Sequence, residues 1–355
     1  MSLYGLKHIV NQIIMFNETG FHYFRNMQKI TILGGGSWAT ALVKILSNGA
    51  DEIHWWVRNP ETVTFIKQYQ HNPNYLSDVT LDLNKVKPTS NIIDAIQSSS
   101  IILLAVPSAF LKTTLKDITE KDFMDKIVFS AIKGIVPEHN LIVGDFMQQY
   151  FKVPIYRMGV ITGPCHAEEV ALEKLSYLTV ACPDITTTST MAKLLTCRYI
   201  RTIVSDDIFG TEYAAVLKNI MAIASGICHG LGYGDNFQAV LISNAIREIK
   251  RFVDAVHPIK RDINDSAYLG DLLVTSYSQF SRNRTFGSMI GKGYSVKSAQ
   301  LEMNMIAEGY YAIACIHSIN QKTAVDLPIC NAVYNIIHEK KSAKEEMKLL
   351  SEKLT

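Results

Sequence analysis

The chain has 355 residues, of which 48% are hydrophobic and 19% are charged, so it is long enough for two domains with their own cores and is neither disordered nor fibrous. A formal net charge of +2, without a long basic block, gives no electrostatic reason to expect nucleic acid or an anionic membrane as a partner. No apolar run is long enough to span a bilayer, so we expect no stable membrane insertion.

Cysteine usage and the N-terminus both favour the cytoplasm. The six cysteines are scattered without C-x-x-C spacing, which indicates neither a zinc site nor a disulfide framework, and we therefore expect no metal. Residues 1–26 have no clean apolar core and no small-residue cleavage site, so they do not resemble a signal peptide. We assign them to an N-terminal extension.

The first informative stretch is a predicted apolar strand at 29–33 that runs into Gly34-Gly-Gly36-Ser-Trp-Ala39. A strand that ends in G-x-G-x-x-A and opens into a helix is typical of a pyrophosphate site, because Gly34 allows a tight turn and Gly36 lets the backbone approach the ligand. Ala39 keeps the helix predicted at 41–48 close to the sheet, with free N–H groups facing the anion. Taken alone, the motif fits an ordinary strand-to-helix turn equally well.

A second buried strand, predicted at 53–57, completes a βαβ unit and is followed by Arg58. An NAD-selective chain usually carries Asp or Glu here to accept from the ribose 2′-hydroxyl. Arg58 could instead stack on adenine and tolerate a 2′-phosphate, although an ordinary solvated arginine explains it as well. The sequence thus predicts NAD or NADP as cofactor without choosing between them.

Three further apolar strands are predicted at 101–106, 127–132 and 156–162, which indicates a parallel sheet covered on both faces. Ligands of such sheets bind beyond the carboxyl ends of the strands. We therefore expect the three strand ends to line one crevice. These ends carry Pro107-Ser108, Lys133-Gly134 and Gly163-Pro-Cys165-His-Ala167.

After Val204 helical periodicity replaces the strand pattern, with helices expected from Asp207 to about His229 and from Asn236 to about Val256. The predicted fold is therefore α/β. A Rossmann-like dinucleotide-binding domain over 27–204 is followed by an all-α substrate domain over 205–355.

Lys218, on the first of these helices, has unusually small neighbours within a turn or two, so a ligand could approach the backbone closely. Burial beside a second cation such as Lys133 would lower the pKa of the amine and let it act as a base. A surface lysine on an amphipathic helix is the alternative, and it is the favoured one while Lys218 is considered alone.

Ser281-Arg282-Asn283 packs a hydroxyl, a forked guanidinium and an amide into three residues. This combination suits a phosphate dianion, because the arginine fork donates two parallel hydrogen bonds while its neighbours satisfy the other oxygens. The substrate is then phosphorylated. A polar loop between helices is the alternative.

Together these motifs resemble the NAD(P)-dependent glycerol-3-phosphate dehydrogenase family. The resemblance extends from about residue 28 to about residue 335, and the order and spacing of many motifs carry it rather than any single one. The motifs in the family's order are Gly34-Gly-Gly-Ser-Trp-Ala-Thr-Ala-Leu42, Asn74-Tyr-Leu76, Ala105-Val-Pro-Ser108, Lys133-Gly134, Gly163-Pro-Cys-His-Ala-Glu-Glu-Val170, Leu217-Lys-Asn219, Gly270-Asp-Leu272 and Ser281-Arg-Asn-Arg284.

The resemblance implies hydride exchange between sn-glycerol 3-phosphate and dihydroxyacetone phosphate with NAD or NADP, supplying glycerol 3-phosphate for phospholipid synthesis. Lys218 is implied as the proton acceptor, with Lys133 as a second catalytic group, and we expect a homodimer. The implied substrate contacts are Lys133, Gly163, Cys165, Lys218, Asp271, Ser281, Arg282 and Asn283. The implied cofactor contacts are Gly34, Gly36, Ser37, Trp38, Arg58, Lys133, Ala167, Arg282, Ile306 and Glu308.

The chain departs from the family pattern at three places. Cys165 stands where Ser or Thr is usual, Ser77 where Pro is usual, and Asn244 with Ala245 where many bacterial members carry Arg-Gly. A thiol is a weaker hydrogen-bonding group than a hydroxyl, so a substrate contact at Cys165 would rest on its backbone N–H.

Two other functions remain open. A dehydrogenase of the same architecture could use the Ser281–Asn283 cluster for a carboxylate or a longer phosphate ester, and a nucleotide sensor could have lost the chemistry. The retained Lys218 and Lys133 argue against the sensor. His166, in the predicted crevice, is the alternative base.

Overall fold

The computed structural model describes residues 29–303 and 307–355. The extension predicted at 1–26, the predicted domain start at 27 and the predicted cofactor residue Ile306 lie outside the described residues.

Strands of the first part of the chain build its central sheet. The described strands are β1 (Lys29–Leu33), β2 (Glu52–Trp56), β3 (Val86–Thr89), β4 (Ile101–Leu104), β5 (Ile127–Ser130), β6 (Ile135–Val136), β7 (Leu141–Ile142), β8 (Met158–Thr162), β9 (Ser176–Ala181) and β10 (Ile200–Ser205). Eight of them form one sheet in the order β10-β9-β8-β5-β4-β1-β2-β3, while β6 and β7 form a separate antiparallel pair. Since β1, β4 and β5 lie side by side in parallel, their carboxyl ends open at one edge.

The sheet differs from the prediction at one side. We expected parallel strands throughout, but β9 runs antiparallel to β8, and β10 follows β9 in parallel. Strand β9 is apolar and mostly buried, so its hydrophobicity alone does not fix its orientation, whereas β10 lies at the edge of the sheet and is largely exposed.

Helices cover both faces of this sheet. They are α1 (Ser37–Leu46), α2 (Pro60–Tyr69), α3 (Ile92–Gln97), α4 (Leu111–Thr114), α5 (Glu120–Phe123), α6 (Val143–Phe151), α7 (Ala167–Ala171) and α8 (Ile185–Leu195). Alternate residues of β1 point to opposite faces, so Ile32 joins a core cluster with Leu42 of α1 and Leu33 joins another with Phe146 of α6. The Rossmann-like fold is therefore confirmed.

The described part of the chain after β10 contains helices and no strand, as predicted. The helices are α9 (Ile208–Gly230), α10 (Asp235–Val256), α11 (Asp271–Tyr277), α12 (Arg282–Gly291), α13 (Val296–Glu302), α14 (Glu308–Thr323), α15 (Pro328–Ile337) and α16 (Ala343–Ser351), with a π-helical turn over Ser266–Gly270 before α11. Within residues 29–303 and 307–355, no helix is long and apolar enough to cross a bilayer.

Helix α9 is the centre of the helical part, and nearly all of its residues are buried. Helix α12 packs against it closely. A Cβ built on Gly287 of α12 would lie 2.1 Å from the carbonyl oxygen of Ile223 on α9, so glycine is required there. This approach brings the start of α12, with Arg282, to the same region as Lys218.

Candidate active site

A cleft of about 460 Å³ lies at the carboxyl edge of the sheet and is closed on its other side by the helical part. The first part of the chain lines it with Gly36, Ser37, Trp38, Lys133, Cys165, His166 and Ala167, among others. The second part lines it with Lys218, Asn219, Thr275, Ser281, Arg282, Asn283 and Glu308. The structure thus brings together most of the residues that the sequence singled out.

Of the predicted site residues that the structure describes, four do not line this cleft: Gly34, Arg58, Gly163 and Asp271. Gly34 has φ +142°, and a Cβ there would lie 2.4 Å from the carbonyl oxygen of Ala105. A glycine is therefore needed here for the close approach of two backbone segments as well as for the positive φ. Arg58 is exposed, directly beyond the end of β2.

The N-terminus of α1 forms one end of the cleft. Gly36 is the N-cap of this helix, no side chain caps it, and a Cβ at Gly36 would have no atom within 4 Å. The helix also begins without acidic residues in its first turn. Free N–H groups at the positive end of a helix, beside open space, are a suitable donor set for a pyrophosphate.

Trp38 and Lys133 form the adjoining wall. The Trp38 indole N–H donates to the carbonyl oxygen of Ala131 at 3.1 Å, which fixes the ring. The Lys133 ammonium lies 5.8 Å from the centroid of that ring. A cation–π contact at this distance helps to hold the ammonium group at the cleft surface.

Below the cleft floor, Asp271 joins two lysines. Lys218 Nζ donates to Asp271 Oδ1 at 2.8 Å, and Lys133 Nζ lies 3.3 Å from Asp271 Oδ2. Lys218 also donates to Thr275 Oγ1 at 2.7 Å, and Lys133 donates to the Gly163 carbonyl oxygen at 2.9 Å. One buried carboxylate therefore orients both ammonium groups.

Asp271 has no exposed surface of its own. Thr162 Oγ1 and the Gly163 backbone N–H each donate to its Oδ2 at 3.3 Å. Burial raises the pKa of Asp271, but Lys133 and Lys218 outweigh this and leave that pKa below its usual value. Asp271 is thus held as an anion beneath the two lysines.

The pKa of Lys218 is lowered to about 8. Burial is the largest cause, since it penalises the charged amine, and Asp271 opposes this while Lys133 adds to it. A lysine with this pKa holds and releases a proton near neutral pH, which is what a proton-transfer group requires.

His166 and Cys165 have less suitable protonation states. Burial, followed by Lys218 and Lys133, lowers the pKa of His166 to about 4, and its Nδ1 lies 3.1 Å from Ser278 Oγ. Burial raises the pKa of Cys165 to about 12, so this residue is a neutral thiol. Of Lys218, His166 and Cys165, Lys218 is the group whose pKa lies nearest to neutrality.

The predicted phosphate cluster lies at the start of α12. Ser281 Oγ accepts from the Arg284 backbone N–H at 3.3 Å and so caps the helix, and Asn283 Oδ1 accepts from the Gly309 N–H at 2.9 Å. Arg282 is exposed between them at the cleft wall. Two neighbours that are fixed by the fold therefore frame the guanidinium.

Glu308 spans the cleft from the helical part to the sheet domain. Its carboxylate accepts from the Ser108 backbone N–H at 3.0 Å and from the Ser108 hydroxyl. Burial raises the pKa of Glu308, and the two hydrogen bonds from Ser108 oppose this. This predicted cofactor residue thus also ties the two halves of the site together.

Sequence reasoning missed Thr275 and the side chain of Asn219, which donates to the Lys133 carbonyl oxygen at 2.7 Å. Thr275 follows Asp271 by one helical turn, so its side chain had to lie on the same face as that of Asp271. This spacing was a usable signal. Asn219 belongs to the motif Leu217-Lys-Asn219, but its contact with Lys133 was not predicted, because the two residues are distant in the sequence.

The fold and the cleft define a dehydrogenase that uses NAD or NADP: a helix N-terminus suited to a pyrophosphate lies next to a buried lysine with a pKa near neutrality. Residues 29–188 match the family described as NAD-dependent glycerol-3-phosphate dehydrogenase N-terminus, and residues 207–348 match the corresponding C-terminus. The chain belongs to this family, as the resemblance had implied.

Individual relatives agree with this assignment. A glycerol-3-phosphate dehydrogenase [NAD(P)+] from an Exiguobacterium species is 34% identical over 325 residues, covering 91% of this chain and 95% of the relative. That from Staphylococcus carnosus is 32% identical over 326 residues, covering 91% and 98%. The crystal structure of glycerol-3-phosphate dehydrogenase from Coxiella burnetii superimposes with a TM-score of 0.85 at 28% identity, covering 91% of this chain and 98% of that one.

Proposed function

We propose that Lys218 is the proton-transfer residue, and Lys133 its electrostatic partner, in the interconversion of sn-glycerol 3-phosphate and dihydroxyacetone phosphate with NAD or NADP. The reaction follows from membership of the family. The observation that supports the residue roles best is the buried Lys218, hydrogen-bonded to Asp271 at 2.8 Å and with its pKa lowered to about 8.

NAD(P), when bound, accepts or supplies the hydride exchanged with C2 of the substrate. In the oxidation, neutral Lys218 takes the proton of the C2 hydroxyl, and in the reduction protonated Lys218 returns it to the carbonyl oxygen. Lys133 stabilises negative charge on the same oxygen. Asp271 orients both amines and keeps the pKa of Lys218 from falling further.

The remaining site residues bind and orient. Arg282 holds the substrate phosphate through its fork, with Ser281 and Asn283 beside it. Cys165 offers its backbone N–H, because its thiol is buried and neutral. The N-terminus of α1 receives the pyrophosphate. Arg58 follows β2, and in this kind of fold the adenosine ribose binds near the end of that strand.

We place the enzyme in the cytoplasm, as a homodimer with domains over 27–204 and 205–355, where it supplies glycerol 3-phosphate for phospholipid synthesis. The reaction is compatible with that role. Sedimentation analysis of the purified chain tests the dimer, since a single monomeric species contradicts it.

The function is tested by following nicotinamide absorbance with a substrate panel. Purified protein and NADH or NADPH are mixed with dihydroxyacetone phosphate, with unphosphorylated dihydroxyacetone, or with a 2-keto acid. Turnover should require dihydroxyacetone phosphate, because the Arg282 cluster recognises the phosphate. Faster turnover of the keto acid would instead assign the protein to another hydroxyacid substrate.

A further inference from the structure

A buried polar cluster lies outside the cleft, where the start of α9 meets the turn before α11. It consists of Asp207, Arg261 and Tyr268, none of which lines the cleft. The side chains of Asp207 and Arg261 are 5% and 3% exposed, and Tyr268 is 4% exposed. The proposed mechanism gives these three polar groups no role.

Asp207 is the centre of the cluster. Its Oδ1 accepts from the Gly210 backbone N–H at 2.9 Å and caps α9, while its Oδ2 accepts from Arg261 Nε at 2.8 Å and from the Tyr268 hydroxyl. Burial alone would raise the pKa of Asp207, but Arg261 and Tyr268 leave it below the usual value. The carboxylate is therefore charged and fully engaged.

Tyr268 connects this carboxylate to the turn that carries Asp271. Tyr268 lies in the π-helical turn Ser266–Gly270, and the Asp271 backbone N–H donates to the carbonyl oxygens of Ser266 and Tyr268. Asp207 begins the helix that carries Lys218, about 16 Å further along at 1.5 Å per residue. The contacts thus form a closed loop from Asp207 through Tyr268 to Asp271, then to Lys218 and back along α9.

We propose that Asp207, Arg261 and Tyr268 are positioning residues that set the distance between the Asp271 carboxylate and the Lys218 amine. Arg261 neutralises Asp207 and anchors it to the end of α10, donating to the His257 carbonyl oxygen at 2.7 Å and to the Asp254 carboxylate. Because Tyr268 lies in the π-helical turn, its hydrogen bond to Asp207 fixes the position of that turn. The proposal rests on Lys218 as the proton-transfer residue.

The test is Tyr268→Phe in the full chain, which removes the hydroxyl donor and keeps the ring. We expect kcat to fall roughly tenfold, since small misplacements of reacting groups have effects of this size, while KM for the nicotinamide cofactor stays unchanged. The acidic limb of the glycerol 3-phosphate oxidation profile should also move to lower pH. Lys218 would lose part of the stabilisation of its charged form by Asp271, while Lys133 continues to oppose that form.

Ser266→Ala is the matched control. It removes a hydroxyl from the same turn, and the buried Ser266 Oγ makes no hydrogen bond within the described residues. This variant should retain the parent kcat and pH profile. The proposal is overturned if Tyr268→Phe keeps the kcat and pH profile of the parent, or if its kcat falls while the acidic limb stays at the same pH. It is also overturned if Ser266→Ala shows the same changes in kcat and pH profile.

Should Tyr268→Phe not fold, Asp207→Asn provides the same readings, because asparagine caps a helix as well as aspartate does but carries no charge for Arg261. The turnover of the parent and the loss of turnover in Lys218→Ala test the proposed mechanism independently of the Asp207, Arg261 and Tyr268 cluster. Failure of that mechanism is therefore distinguishable from failure of the positioning cluster.

Discussion

Replacing Asp271 by asparagine removes the single carboxylate that both active-site lysines contact, while the size of the side chain is kept. Lys218 Nζ lies 2.8 Å from one oxygen of Asp271, and Lys133 Nζ lies 3.3 Å from the other. In Asp271→Asn the two amines face each other in a buried site without a counter-charge. An opposite charge this close moves a pKa by roughly 1–3, so we expect the pKa of Lys218 to fall from about 8 by that amount.

The two directions of the reaction respond oppositely. Oxidation needs the neutral amine, so the acidic limb of kcat against pH should move down by the same roughly 1–3 pH units. Reduction needs the protonated amine, whose fraction above its pKa falls roughly tenfold for each pH unit by which that pKa drops. Steady-state rates in both directions, measured by nicotinamide absorbance at a series of pH values, give both effects.

Asp235→Asn is the control, since it makes the same change of charge at an exposed carboxylate in the first turn of α10. It should leave both profiles in place. If the acidic limb of the oxidation profile lies at the same pH in Asp271→Asn and in the parent, Asp271 is not the group that stabilises the charged form of Lys218.

Three other predictions concern phosphate, cofactor and stability. Arg282→Lys should lower kcat/KM for dihydroxyacetone phosphate by roughly 10- to 100-fold, which is the equivalent of one charged hydrogen bond. Arg284→Lys on the same helix should leave kcat/KM unchanged. Equal values for both variants would contradict the binding of the phosphate by the Arg282 fork. Arg58→Asp should weaken NADPH binding far more than NADH binding in a fluorescence titration, and equal losses would show that Arg58 does not meet the 2′-phosphate. Burial raises the pKa of Glu212 to about 8, so this residue holds its proton in the folded protein at neutral pH. The stability that Glu212 contributes is fully present below about pH 4.5 and is lost as pH rises through about 8. The melting temperature of Glu212→Gln should therefore fall less between pH 6 and pH 9 than that of the parent, and parallel curves would contradict a protonated Glu212.

The features that the sequence predicted well are local ones. Strand β1 follows from an apolar run that stops at Gly34 and leads into a helix, although α1 begins at Ser37 and not at the predicted residue 41. The cleft position of Lys133 follows from the rule that parallel strands bind ligands at their carboxyl ends. Each of these predictions depends only on residues adjacent in the chain and on one rule of sheet topology. Two long helices of the second part were also predicted, since those expected from Asp207 to about His229 and from Asn236 to about Val256 correspond to α9 and α10.

What was missed depends on contacts between distant residues. Strand β3 (Val86–Thr89) contains Lys87 and Pro88 and pairs with β2 only at the edge of the sheet, so its own residues give a weak strand signal. The direction of β9 is decided by pairing with β8 rather than by its composition. The contact of Tyr268 with Asp207 likewise joins residues on separate elements, and no spacing in the sequence indicates it.

The most direct test of the central claim, that Lys218 transfers the proton, is kcat for Lys218→Ala with dihydroxyacetone phosphate, measured together with the Kd for NAD(P)H. Removing a positioned proton-transfer group should lower kcat by roughly 10²–10⁴ while cofactor binding stays near the parent value. The amine does not need to contact the cofactor for this result, because its partners in the fold are Asp271 and Thr275. If Lys218→Ala retains most of the parent kcat, the claim is wrong and the proton must pass through another group, with His166 the next to replace.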